Sequence, residues 1–410
     1  MKVLFVHQNF PGQYKHIAPA LAADPKNQVV AMSMRRGVKM PGVRIVVSTP
    51  KGRTEGKSHP LLAETEVKLA RGEATLRSAL ALKREGFTPD VICAHPGWGE
   101  AMFLKDVWNA PMLGFFEFYY HMHGVDVGFD PEFPAAPNDA YRLRMKNVVN
   151  LLSLEACDRG VSPTQWQKSL HPKEFHGKID VIHDGIDTDL IRPNPNAALK
   201  LNDSIVLTPK DEVVTFVARK LEPYRGFHVF MRALPEILRR RPNARVLIVG
   251  AEGASYGSDP EDGISYKQRA LNEVGGDLDM SRVHFLGQVP YRTFLSILQV
   301  SSTHVYLTYP FVLSWSMLEA MAAGCLVIGS KTPPVEEVIS HGDNGFLVDF
   351  FSPEGIVDRI SEAMEDQIQT IEIRQNARRT IIDRYDLKLK CLPKHIALID
   401  LTRPVGYPSI

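Results

Sequence analysis

The chain has little cysteine: four residues in 410, Cys93, Cys157, Cys325 and Cys391, far apart and set in apolar runs or a late helix. That spacing excludes a disulfide framework and reads as buried thiols in a reducing compartment. Excess charge is also missing, since a formal net charge of +1 gives no reason to expect nucleic acid or another polyanion as partner. No long hydrophobic run opens the sequence. MKVLFVHQNFPGQ holds an apolar stretch of four residues before His7, too short for a signal peptide and far short of a membrane span, so a cytoplasmic protein is expected. There is no repeat array, no low-complexity segment and no dinucleotide fingerprint, because VGAEGASYG around Gly250 and Gly253 lacks the G-x-G-x-x-G spacing.

What is present is a globular composition, 44% hydrophobic and 23% charged, over a length that suits two domains better than one core. Short β-rich runs alternate with helical patterns. KVLFV leads through HQNFPGQY into KHIAPALA; QVVAMS, VRIVVS, DVICAH and APMLGFFEF are further strands, with LLAETEVKLARGEATLRSALALKREG a helix between the third and fourth. After the helix RLRMKNVVNLLSLEAC and the strand KIDVIHDG, the segment DGIDTDLIRPNPN gathers Gly, Asp, Pro and Asn into a linker. The alternation then restarts at EVVTFVAR. Two Rossmann-like α/β halves follow, 1–188 and 189–385, each with a parallel sheet whose strand ends bind ligands, and the cleft between them is the expected site.

One stretch is locally basic. Arg35, Arg36, Lys39, Arg44, Lys51, Arg53 and Lys57 face a single carboxylate, Glu55. A solvated loop flanking VRIVVS explains them, and so does a patch for an anionic acceptor or a peripheral membrane contact.

Several motifs in order resemble the family 4 retaining glycosyltransferases of the GT-B fold: FVHQNFPGQ, VIHDGIDTDLIRP, VARKLEPYRGF, FLGQVP, LEAMAAGCLVIGS and VISHGDNGFLVD. The resemblance spans nearly the whole chain. It implies a nucleotide-sugar donor held by the second domain and a carbohydrate or lipid-linked acceptor on the first. It further implies polysaccharide or glycoconjugate biosynthesis as the setting, no cofactor and no metal, and a final helix, DLKLKCLPKHIALIDL, that returns residues 386–410 to the first domain. A phosphorylase would need a cofactor lysine motif that is missing. A GT-B epimerase and a non-catalytic nucleotide-sugar-binding protein remain as alternatives.

The resemblance also assigns residues. Arg219 and Arg225 would stabilise the departing diphosphate, where negative charge develops; the family usually has lysine at the second position. Gly12 would bring backbone amides to the donor phosphate ahead of a helix start, and Val289 would sit beside the base. The signature Glu, seven residues, Glu is read at Phe311 and Glu319, so its first carboxylate is replaced by an aromatic. Glu319 would hold the ribose, although Ser316 to Glu319 also spell a capping box. Leu313, Ser314, Trp315 and Ser316 would form an amide-rich turn for diphosphate and sugar, with Ser316 adding an N–H where proline is usual. In the first domain Glu117 falls where many relatives carry an active-site histidine. His95, Trp98, His121 and His123 are further candidates for sugar or acceptor contacts, and His121 with His123 forms H-x-H, a weak metal signal.

Overall fold

A computed structural model of the chain describes residues 1–50, 59–365 and 367–403. These form two compact units, Met1–Gly185 with Lys388–Ile410, and Ile186–Leu387.

Unit 1 contains β1 (Lys2–Val6), β2 (Gln28–Ser33), β3 (Val43–Val47), β4 (Val91–Ala94), β5 (Met112–Phe115), β6 (Arg159–Ser162) and β7 (Ile179–Val181). They lie in the order β3-β2-β1-β4-β5-β6-β7, and the recorded pairings are parallel. Because both faces of such a sheet are covered, its central strands are apolar throughout, and alternate residues feed two cores. Leu4, Val6, Val30 and Ile92 enter one, while Val3, Phe5, Val29 and Cys93 enter the other. The chain runs β1 to β2 to β3 on one side and returns as β4 on the other side of β1. The gap between β1 and β4 is therefore the switch point, where loops diverge and a ligand finds room.

Unit 2 repeats the plan. After a two-stranded ribbon of β8 (Leu199–Lys200) and β9 (Val206–Leu207) come β10 (Val213–Lys220), β11 (Arg245–Ala251), β12 (Val283–Gly287), β13 (Thr303–Tyr306), β14 (Leu326–Ser330) and β15 (Phe346–Val348). The sheet order is β12-β11-β10-β13-β14-β15. Its switch point lies between β10 and β13.

Three local readings change. The expected helix RLRMKNVVNLLSLEAC breaks at Asn147 into Asp139–Lys146 and Val148–Ala156. There the Asn147 side chain clasps the backbone of Tyr120, accepting from its N–H at 3.1 Å and donating to its carbonyl at 2.7 Å. The strand Arg159–Ser162 gives no strand signal in the sequence, because RGVS carries one large apolar residue. The last helix is a π turn over Leu387–Cys391 followed by an α-helix, Leu392–Thr402, with Pro393 in its first turn. Leu398 and Ile399 of that helix pack into the unit 1 core with Val3 and Phe5.

All four cysteines are buried and free. Burial pushes the Cys157 and Cys325 thiols up to about 12. No helix among the described residues is long and apolar enough to cross a membrane. Of the basic stretch, Arg35, Arg36 and Lys39 are exposed and Arg44 pairs with Glu85 at 2.6 Å. Lys51, Arg53, Glu55 and Lys57 lie outside the described residues.

Candidate active site

In unit 1 the loops after β1, β4 and β5 bring four polar side chains together at the switch point. His7 follows β1, His95 follows β4 and Glu117 lies two residues past β5. Asn9 N–H donates to His7 Nδ1 at 3.0 Å, which places the ring proton on Nε2, and that nitrogen lies 2.8 Å from Gln13 Oε1. Gln13 Nε2 in turn donates to Glu117 Oε1 at 3.2 Å. The other carboxylate oxygen, Oε2, stands 3.5 Å from His95 Nε2. Burial pushes His7 down to about 3, helped by the charge of neighbouring His95, so His7 is a neutral relay. Burial works to raise Glu117, but its contacts with His95, His7 and Gln13 outweigh this and hold its carboxyl below the usual range.

Gly12 belongs to this cluster. Its φ is +45°, and a Cβ there would lie 2.4 Å from His7 Nε2, so the close approach of the ring demands glycine. The residue leads into one 3-10 turn, Gly12–Lys15, with the six-residue α-helix beginning only at Ile17. The helix expected over KHIAPALA thus begins two residues into that stretch, at Ile17. Trp98 is 38% exposed and lies nearly parallel to His95, with centroids 6.4 Å apart, under the Arg71 guanidinium at 5.9 Å. His121 Nε2 is occupied by the Leu170 carbonyl at 2.7 Å. His123 is exposed. Neither histidine belongs to a cluster of three or more metal-ligating groups among the described residues.

Unit 2 gathers its candidates around β10 and β13. Arg219 is exposed near the carboxyl end of β10. Arg225 is 5% exposed in the turn Pro223–Arg225, and its Nη1 donates to Tyr306 Oη at 3.0 Å, Thr308 Oγ1 at 2.7 Å and the Val312 carbonyl at 3.2 Å. The two arginines have different surroundings: one is open to a ligand, the other pins the loop after β13. Tyr306 Oη also accepts from Ser314 N–H at 2.8 Å. Arg225, Tyr306 and the segment Val312–Ser314 are therefore tied together by hydrogen bonds.

The helix Trp315–Ala323 is capped by Ser314, whose Oγ accepts from Ser316 N–H at 3.3 Å. The capping-box reading fails for this reason: the cap is two residues earlier than Ser316, and Glu319 lies a full turn inside. The N–H that serine supplies at 316 is spent on Ser314. Glu319 is 8% exposed and accepts from Tyr291 Oη at 2.7 Å. Tyr291 begins the helix Tyr291–Val300, two residues past half-buried Val289, so the proposed base and ribose contacts are neighbours. Burial and then the Glu319 charge push the Tyr291 phenol up.

Phe311 is 7% exposed in an aromatic cluster, 4.9 Å from Tyr256 and 5.5 Å edge-on to Tyr224. Glu222, fully buried, fixes the loop that carries Tyr256 by accepting from the backbone N–H groups of Ser255, Tyr256 and Gly257. Leu313 is buried and Trp315 half-buried, both against the core of unit 2. Sequence reading missed His7, Gln13, Glu222, Tyr291 and Tyr306. Of these, His7, Gln13 and Glu222 stood in quoted motifs, whereas Tyr291 and Tyr306 did not. A cavity of about 650 Å³ lies at the other end of the sheet, lined by Lys210, Asp211, Ser302 and Gly324 at the amino-terminal ends of strands, away from these residues.

Two doubly wound parallel α/β units, each with polar side chains at its switch point, define a protein of the GT-B class. The family model of the Glycosyl transferase family 4 group matches residues 25–191, and that of the Glycosyl transferases group 1 matches residues 200–380. The D-inositol 3-phosphate glycosyltransferase of Corynebacterium glutamicum (strain R) is 24% identical over 305 residues, 72% of this chain and 68% of that protein. The phosphatidyl-myo-inositol mannosyltransferase of Mycolicibacterium smegmatis is 32% identical over 178 residues, 42% of this chain and 41% of its own length. Among solved structures, Anabaena HepE in complex with UDP-glucose superposes with a TM-score of 0.69 at 17% identity, covering 98% of this chain and all of that one. Sucrose-phosphate synthase from Thermosynechococcus elongatus gives 0.73 at 15% identity, covering 98% and 99%. These structural likenesses carry the fold. The chain belongs to the family 4, group 1 glycosyltransferases, and is a glycosyltransferase.

Proposed function

We propose that the chain transfers a hexosyl or related group from a nucleoside diphosphate sugar to a carbohydrate or lipid-linked hydroxyl, with retention of anomeric configuration. The observation that carries this is the pairing of an exposed cation, Arg219, with a loop locked by a buried one, Arg225, across the switch point between β10 and β13. As the sugar leaves the diphosphate, negative charge grows on the phosphate oxygens, and fixed cations beside them lower the barrier. Arg219 is the direct partner for that charge. Arg225 supports it with its own charge and by holding Val312 and, through Tyr306, Ser314. Glu319 and Val289 receive the nucleoside, the carboxylate being oriented by Tyr291.

Retention follows from the family reading: the acceptor attacks the face the diphosphate leaves, and a departing phosphate oxygen takes the acceptor proton. Arginines, not a metal ion, would neutralise the leaving group. The test is product analysis on a panel of UDP-, GDP- and dTDP-sugars in excess EDTA. Sugar transfer with the donor's anomeric configuration is expected; transfer that stops on chelation, or an inverted product, would refute the assignment.

A further inference from the structure

The cavity of about 650 Å³ at the amino-terminal ends of the unit 2 strands lies apart from the donor site, and two cations line it. Lys210 is exposed, and Arg374 is half-buried on the helix Gln367–Tyr385. Neither has an ion-pair partner among the described residues. The two acids that share the lining are engaged: Glu212 pairs with Arg241, and Asp211 Oδ2 accepts from the Thr208 N–H at 2.7 Å and its hydroxyl at 2.8 Å. The unbalanced charge facing the cavity is therefore positive. Arg374 also has a structural task. Its Nη1 donates to the Gly324 carbonyl at 3.0 Å and its Nη2 to the Ser302 carbonyl, so it covers the carboxyl end of the helix Trp315–Ala323. Those bonds use one N–H of each terminal nitrogen and leave the others for a ligand. Burial lowers the guanidinium from its usual range, with no carboxylate acting to raise it. A cation kept half out of water without a counter-ion favours an incoming anion.

The rest of the wall includes Pro193, Pro209, Leu298 and Ile371, and the volume is that of a small-molecule site. We propose that this cavity is an effector site for a phosphate monoester with a ring-sized body, its phosphate held by Arg374 and Lys210 and its body against the apolar wall. The chemistry selects the class. A phosphate offers several acceptor oxygens to the fork of an arginine, an ammonium would meet two cations, and a bare phosphate would leave the apolar wall wet. Position supplies the effect. Gly324 ends the helix that starts at the Ser314 cap and carries Glu319. Ser302 precedes β13, at whose far end Tyr306 bonds Arg225 and the Ser314 amide. An anion that draws on Arg374 thus acts on the near ends of two elements whose far ends form the donor site. The site stands on the cavity alone, whereas its effector role rests on the transferase reading.

The test follows the methyl group of Met364, which lines the cavity, by 13C NMR on the full chain, with Met364→Leu to identify its resonance. Phenyl phosphate, inorganic phosphate and phenol are titrated separately. Phenyl phosphate should move the Met364 signal saturably, and each of the other two should bind about tenfold more weakly, having only the phosphate or only the ring. Lys210→Met should weaken phenyl phosphate about threefold, as for an exposed ion pair, and Arg374→Gln about tenfold, as for a charge-assisted hydrogen bond. Because Arg374→Gln also strips a helix end, Lys210→Met decides if that variant does not fold. An unmoved Met364 signal with phenyl phosphate, or equal affinity in Lys210→Met and the intact chain, overturns the site. Phenol or inorganic phosphate binding as tightly as phenyl phosphate overturns the ligand class. Calorimetry with UDP and GDP then reads the effector role. Saturating phenyl phosphate should change the nucleotide Kd about fivefold or more, and the nucleotide should change the phenyl phosphate Kd by the same factor. An unchanged Kd removes the effector role. If neither nucleotide binds, the transferase reading and the effector role fall together, while the Met364 response still decides the site.

Discussion

Arg219 and Arg225 share a motif but not an environment, and their variants should separate. Arg219 is exposed, so Arg219→Ala should leave the melting temperature unchanged while turnover falls about 10²–10³-fold, the usual loss for one transition-state donor; kinetics beside thermal shift checks both. Phe311 behaves differently from what its place in the signature suggests. Restoring the family carboxylate by Phe311→Glu would bury a charge among Tyr224 and Tyr256, at a cost of about 3 kcal/mol or more. Denaturant unfolding should show that loss. Glu100 offers a third test. It is 2% exposed, neither carboxylate oxygen has a hydrogen-bond partner, and burial pushes its carboxyl up despite Arg71 at 4.0 Å. A carboxyl that holds its proton more tightly folded than unfolded contributes stability in acid and loses it as pH rises past the ordinary carboxylate range. Glu100→Gln should therefore raise the melting temperature by about 2–4 °C at pH 8, and hardly at pH 4.

Elements explain why some of this was readable in advance. β1, β2 and β10 are dominated by apolar runs, as a covered parallel sheet requires, so KVLFV, QVVAMS and EVVTFVAR announced themselves. The break at Asn147 did not, because its cause is a hydrogen bond to Tyr120, distant in sequence and invisible to helical periodicity. The same applies to the site. Arg219, Glu319 and Glu117 could be found from motifs, whereas Tyr306 and Tyr291 act through partners at a distance, Ser314 and Glu319. Tyr306→Phe tests that linkage: it strips an acceptor from both Arg225 and the Ser314 amide. A stability loss of about 1–3 kcal/mol is expected, together with weaker donor binding, measured by calorimetry. Full donor affinity in this variant would show that the loop does not depend on Tyr306.

For the whole molecule, the chain builds the same doubly wound plan twice and places polar residues at each switch point. Its C-terminal segment from Lys388 is grouped with unit 1, where Leu398 and Ile399 complete a core begun by the first strand. Truncation before Lys388 should lower the unfolding transition of unit 1 and leave the nucleotide response of unit 2 in place. The central claim is that unit 2 binds a nucleoside diphosphate sugar through Arg219 and the loop after β13. The most direct measurement is a thermal-shift panel of UDP-, GDP- and dTDP-sugars on the intact chain and on Arg219→Ala. A donor at 100 times its dissociation constant stabilises by about 2.7 kcal/mol, so at least one should raise the melting temperature by about 5–10 °C, and Arg219→Ala should lose most of that rise. No rise with any donor, or an equal rise in the variant, would contradict the account.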